Sequence, residues 1–252
     1  MAITDGIIGC WSPSVRGAGL LLPDLVRGNH AVITLADPAS TWKAATIYGK
    51  AGGVYELDGS DDNVAITCNL PSQAFSLAMW IYPIGTYFAP YVFGSQAFSL
   101  SMNGSTFSNA MVMVRGGSSS QTANNTSPPS NQWAFVTATL RAGRAEPASI
   151  TLNGRPVALT TQGITTDVAV TSMRIGSRID GFGRNQARYG EVTVWSGRTI
   201  TDAEAAEMWR QGNGAIGRQL TGQTRRRTYG FVQAGFRPYW ARRQSQIIGG
   251  GT

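Results

Sequence analysis

The stretch FSLAMWIYP (Phe75–Pro83) decides the fold. Phe75, Leu77, Met79 and Ile81 alternate onto one face, and Trp80 and Tyr82 fall on the other. A strand that is apolar on both faces belongs in the middle of a sheet covered on both sides. Outward from it, short segments with mostly period-two alternation recur at 6–11, 31–35, 54–57, 63–67, 91–93 and 98–102. Others follow at 110–115, 133–140, 149–152, 173–175 and 191–195. Turn residues separate them, at Asp58-Gly59-Ser60, Asn103-Gly104, Gly116-Gly117 and Asn153-Gly154. The last is the strongest hairpin signal, because a type I′ turn needs φ > 0 at both central residues. Strands so short and so frequent predict an all-β fold, a two-sheet antiparallel sandwich or jelly roll.

One helix is expected, over about 202–211. Thr201-Asp202-Ala203-Glu204 reads as a capping box, in which the Thr hydroxyl and the Glu carboxylate each satisfy a backbone donor of the first turn. Ala205, Ala206, Met208 and Trp209 give it an apolar side that would pack on the sandwich edge, and Gly212 ends it. Residues 116–130, GGSSSQTANNTSPPS, are low in complexity and predict a long exposed loop.

With 42% apolar and 14% charged residues, the 252-residue chain has the material for a substantial core. The start, MAITDGIIGCW, lacks the basic and apolar regions of a signal peptide. No apolar run approaches the roughly 20 residues that cross a bilayer. Synthesis in a cytoplasm without membrane contact is therefore expected. Cys10 and Cys68 lie in strand-like contexts and read as two buried thiols in a reducing compartment, with pairing left open.

Charge divides the chain. Through Trp209 it carries 13 Lys+Arg against all 14 Asp+Glu. From 210 to 252 there are eight arginines, no lysine and no acid, so the net +7 comes from this end. Such asymmetry marks an arm that meets a polyanion or an acidic partner. A boundary is drawn accordingly, with a body over 1–212 and an arm over 213–252.

The body resembles the laminin-G-like, or concanavalin A-like, jelly-roll domains. GIIGCWSPS, DLVRGNHAVIT, GGVYELDGSDDNVAI and FSLAMWIYP carry the resemblance in the first half. NQWAFVTATL, ASITLNGRPV, MRIGSR and GEVTVWSGRTITDAEAAEMW carry it in the second. No block is specific alone, but their common order across 6–212 is. The resemblance implies a sandwich that in some members binds Ca²⁺ near a strand start, here at Asp58, Asp61, Asp62 and Asn63. Ca²⁺ takes six to eight oxygens, so these side chains would be part of a site. They equally make a turn whose Asp and Asn side chains bond their own backbone, which is the preferred reading. No other cofactor is expected.

No enzyme is expected either. Glycosidases need two carboxylates in one cleft, and the E-x-D-x-x-E strand pattern of hydrolases on this sandwich does not occur. Glu191 stands without a second acid in GEVTVW, and His30 is the only histidine, in a turn-to-strand context. One His with no nucleophile pattern makes no triad.

The arm joins two chemistries. Arg225, Arg226, Arg227, Arg237, Arg242 and Arg243 are interleaved with Tyr229, Phe231, Phe236, Tyr239 and Trp240. Aromatics and Arg are the usual anchors of protein interfaces. They also suit single-stranded nucleic acid, though an arm with no basic surface on the body makes a poor sequence reader. FRPYWARRQSQIIGGGT, residues 236–252, resembles the C-termini of tailed-bacteriophage structural proteins. The expectation is a virion structural protein, displayed on the capsid as decoration or cement, or on the tail. Its arm would dock on other virion proteins and on copies of itself, and its body would suit a host-surface glycan. The rival is a carbohydrate-binding module of a bacterial protein.

Overall fold

The computed structural model describes residues 2–14, 20–34, 42–47, 50–70, 74–84, 91–94, 98–102, 111–115, 118–122, 126–140, 149–162, 170–177 and 186–222. In chain order the strands begin with β1 (Ile7–Trp11), β2 (Leu21–Leu22), β3 (Ala31–Thr34), β4 (Trp42–Ile47), β5 (Lys50–Asp58) and β6 (Asn63–Leu70). Next come β7 (Phe75–Pro83), β8 (Tyr91–Gly94), β9 (Phe98–Met102), β10 (Met111–Arg115), β11 (Ser118–Thr122) and β12 (Ala134–Leu140). The last are β13 (Ser149–Leu152), β14 (Arg155–Val157), β15 (Leu159–Gln162), β16 (Val170–Ile175) and β17 (Gln186–Ser196). Helices α1 (Asp202–Gln211) and α2 (Ala215–Leu220) close the described chain.

These strands make two antiparallel sheets. The first runs β14-β13-β12-β7-β17-β5-β4, with β1 paired to β17; the second runs β15-β11-β10-β9-β8-β16-β6-β3-β2. As its two apolar faces require, β7 sits between β12 and β17. Leu77, Met79 and Ile81 join Val64, Ile66, Met173 and Ile175 of the second sheet in the core between the layers. Trp80, Phe135 and Trp195 face away from it and pack with Ile200, Met208 and Ile216 in a second apolar cluster.

That cluster explains the helices. The capping box forms, with Glu204 N–H donating to Thr201 Oγ1 at 3.3 Å and Thr201 N–H donating to Glu204 Oε2 at 2.9 Å. Gly212 ends α1 at φ 80°, a left-handed value that only glycine adopts cheaply. The helix lies beside the edge strand β14 and reaches over the outer face of the first sheet, where Trp209 stacks on Trp80 with ring centroids 5.1 Å apart at 17°. Met208 and Trp209 thereby cover the apolar side chains Trp80 and Phe135 of the central strands. The Asn153-Gly154 turn forms with φ 54° and 74°, and a Cβ on Gly154 would meet Ala206 Cα at 2.8 Å.

Two expectations change. Ser118–Thr122, within the stretch read as a loop, pairs on both sides with β10 and β15. A serine-rich segment carries little strand propensity, and its neighbours supply the order. The body also does not end at 212, because α2 packs onto it, with Asn213, Ala215 and Ile216 buried. The Asn103-Gly104 and Gly116-Gly117 turns lie outside the described residues.

Candidate functional site

The turn from β5 to β6 crosses from the first sheet to the second and carries the predicted acidic residues. One carboxylate oxygen each of Asp58, Asp61 and Asp62 lies within 4.8 Å of the others. Asp58 and Asp61 are exposed and Asp62 is buried. Two of their oxygens are already engaged: Asp62 Oδ2 accepts from Asp58 N–H at 2.9 Å, and Asp58 Oδ1 accepts from Ser60 N–H at 2.7 Å. These are the backbone bonds of a self-satisfied Asx turn. Burial pushes the Asp62 carboxyl above its usual range; the Asp58 N–H opposes this, and the Asp58 and Asp61 charges add to it. Asn63 Oδ1 is buried with no hydrogen-bond partner. The donor set is thus hard oxygen, which suits Ca²⁺, but it is partly committed to the backbone.

Glu191 has a structural task. β17 shifts register between Tyr189 and Val192, and a bulge of this kind re-aims the side chain it carries. Gly190 allows the close approach, since a Cβ there would lie 2.3 Å from Asn213 Oδ1. The buried Glu191 carboxylate then accepts from Ile216 N–H at 3.0 Å and from Gly217 N–H at 2.7 Å. Those are first-turn donors of α2, whose N-cap Gly214 offers no side chain. Glu191 therefore caps a helix from another element. Burial raises its carboxyl above the usual range, against the pull of the two N–H groups, Ser12 and Arg218. The cavity beside it, about 10 Å³ and lined in part by Trp80, Thr193 and Met208, has room for about one water and none for a substrate.

Cys10 lies 3.9 Å from the Glu191 carboxylate as a free buried thiol. Burial and the Glu191 charge push it well above the ordinary thiol range, so it stays protonated. His30 Nδ1 accepts from Asp24 N–H at 3.1 Å, while the Asp24 carboxylate accepts from the N–H groups of Cys10, Val26, Arg27 and Asn29. The block DLVRGNHAVIT is thus a turn organised by one carboxylate.

A family model for the concanavalin A-like lectin/glucanases superfamily, of laminin G type, matches residues 58–206. The chain belongs to this superfamily. Within the concanavalin A-like domain the match opens on the acidic turn and closes inside α1, so it spans Glu191 but not α2. Solved structures share the fold at low identity. Trypanosoma rangeli sialidase superposes with TM-score 0.56 at 13% identity, over 82% of this chain and 33% of that one. The binding domain of botulinum neurotoxin serotype D/C gives 0.59 at 15%, over 83% and 53%. The same domain in complex with SialylT gives 0.57 at 15%. This chain spans about a third of the sialidase and about half of the neurotoxin domain. No curated protein matches the sequence.

The arm residues Arg225, Arg226, Arg227, Tyr229, Phe231, Phe236, Arg237, Tyr239, Trp240, Arg242 and Arg243 lie outside the described residues. The first two arginines of the basic segment belong to the domain instead. Arg210 pairs with Glu207, and Arg218 donates to Asn213 O at 2.9 Å.

Proposed function

We propose that this concanavalin A-like domain is a virion structural protein of a tailed phage, displayed on capsid or tail and anchored by the arm that begins after Gly222. The observation that supports this is the contrast between a sandwich with two apolar clusters and the composition of the arm. Among the described residues, the body forms two apolar clusters. The remaining 30 residues bring six arginines, five aromatics and no acid. A soluble chain does not leave that much aromatic surface in water, so the arm calls for a partner surface with acidic and apolar character. Glu191, by holding α2, fixes where the arm leaves. A Cβ on Gly217 would touch Leu25 at 2.9 Å, and Leu25 lies in the turn that joins β2 to β3. The test is assembly: a chain ending at Gly222 should fold and fail to enter particles.

Glycan recognition by the body is the second reading, either as the displayed function of the virion protein or as a carbohydrate-binding module of a bacterial protein. The family favours it, as do the saccharide-bound states of structures that share the fold. In either setting the body acts without turnover. Ca²⁺ held by Asp58, Asp61, Asp62 and Asn63 is a separate proposal, supported by the clustered carboxylates and the unpartnered Asn63 Oδ1. A rise in thermal stability with Ca²⁺ tests it.

A further inference from the structure

On the outer face of the first sheet, α1 covers the row of Trp80 and Phe135, and the next row, half-buried, borders that cluster through Trp133. Trp80 and Phe135, a pair in register on β7 and β12, belong to the buried cluster with Met208, and Trp209 stacks on Trp80. Two residues further along stand Tyr82 on β7 and Trp133 just before β12, both half-buried. Arg188 of β17 is in register with Tyr82 on one side and with Glu56 of β5 on the other. The four side chains touch in sequence. Arg188 Nε donates to Glu56 Oε2 at 2.5 Å, and the guanidinium carbon lies 5.2 Å from the Tyr82 ring centre. The Tyr82 and Trp133 rings are 5.4 Å apart and tilted by 58°. Side-chain exposure is 37% for Arg188 and 22% for Glu56, so each is held and still open to solvent.

The geometry points to a saccharide-binding platform, with neutral pyranoses as its ligand class. A pyranose has an apolar C–H face and a rim of hydroxyls that both donate and accept. Trp133 supplies aromatic surface for the face, beside the Tyr82 ring that carries Arg188. Glu56 can only accept and Arg188 can only donate, so neighbouring ring hydroxyls satisfy both at once. Arg188 is pinned between a carboxylate and a ring, which leaves little side-chain freedom to lose on binding. Charge sets the class. Glu56 offsets Arg188, so a sugar carboxylate would meet an acid beside an already engaged guanidinium. The acidic turn extends that bias, because Asp58 is in register with Gln186, two residues beyond Glu56 and Arg188.

This inference rests on the glycan reading of the body and names its site; the arm plays no part in it. The test uses the full chain on an array of neutral gluco-, galacto- and mannosides beside their sialylated counterparts, followed by titration calorimetry with the best binder. Neutral glycans should bind in preference to sialylated ones. Trp133→Ala should weaken the best neutral binder roughly tenfold or more, the loss of one stacked ring with its buried area. Trp133→Phe, which keeps a ring, should lose less and serves as the folded control. Glu56→Gln should weaken neutral glycans and raise binding of sialylated ones, a change of preference that a purely structural ion pair would not produce. Neutral binding that survives both Trp133→Ala and Glu56→Gln would place the sugar elsewhere and overturn the platform while leaving the glycan reading intact. No binding by the wild type to any immobilised glycan would overturn both, and a wild-type preference for sialylated glycans would overturn the ligand class.

Discussion

Replacing Glu191 by Ala should unfasten α2 while leaving the sandwich folded. In the wild type two backbone N–H groups, on Ile216 and Gly217, end on one buried carboxylate. Alanine leaves both without an acceptor where water has room for about one molecule. Each unsatisfied buried donor costs about 1–3 kcal/mol, so the two together cost roughly 2–6 kcal/mol, reduced by relief from burying a charge. Chemical denaturation followed by tryptophan fluorescence reads the stability, and hydrogen exchange across 213–220 reads the helix. The same carboxyl gives a pH signature. Its folded pKa is raised, so the native state binds the proton more tightly than the unfolded chain. Stability from this group is therefore lost as pH climbs from the ordinary Glu range through the raised value, and Glu191→Gln should flatten that slope. A Glu191→Ala protein within about 0.5 kcal/mol of wild type, with unchanged protection at 216 and 217, would refute the capping role.

Other outcomes follow from single contacts. Gly154→Ala should destabilise by more than about 1 kcal/mol in the same denaturation assay, since φ is 74° and the new Cβ would press on Ala206 of α1. Millimolar Ca²⁺ should raise the thermal midpoint if Asp58, Asp61 and Asp62 hold it, and Asp62→Asn should abolish the rise. No shift in the wild type would leave the residues as a turn held by its own backbone. Trp240→Ala and Arg226→Ala should lower incorporation into particles at unchanged thermal midpoint, with Trp240 costing more because buried aromatics dominate interfaces.

The parts legible in the sequence were those with a local period. FSLAMWIYP announced a doubly covered central strand, Asn153-Gly154 its hairpin, and Thr201 with Glu204 the start of α1. β11 was hidden because Ser118–Thr122 has no apolar alternation, and only its pairing with β10 and β15 orders it. α2 was hidden because its cap lies 25 residues back in the chain on β17. The acidic turn could be read from Asp58 to Asn63 because those residues are contiguous. The row Glu56, Arg188, Tyr82 and Trp133 could not, since four segments contribute one residue each and register alone aligns them. Alternation did put Tyr82 on the face opposite Met79 and Ile81, but whether a helix covers it is a tertiary matter.

The proposed role has the sandwich carried into a larger assembly by residues 223–252. The most direct measurement is the copy number per purified phage particle of the full chain and of a chain ending at Gly222, both expressed in the host during infection and quantified by mass spectrometry. The shorter protein should be soluble, keep the wild-type thermal midpoint and be missing from particles. Incorporation of the shorter protein at the full chain's copy number would contradict it.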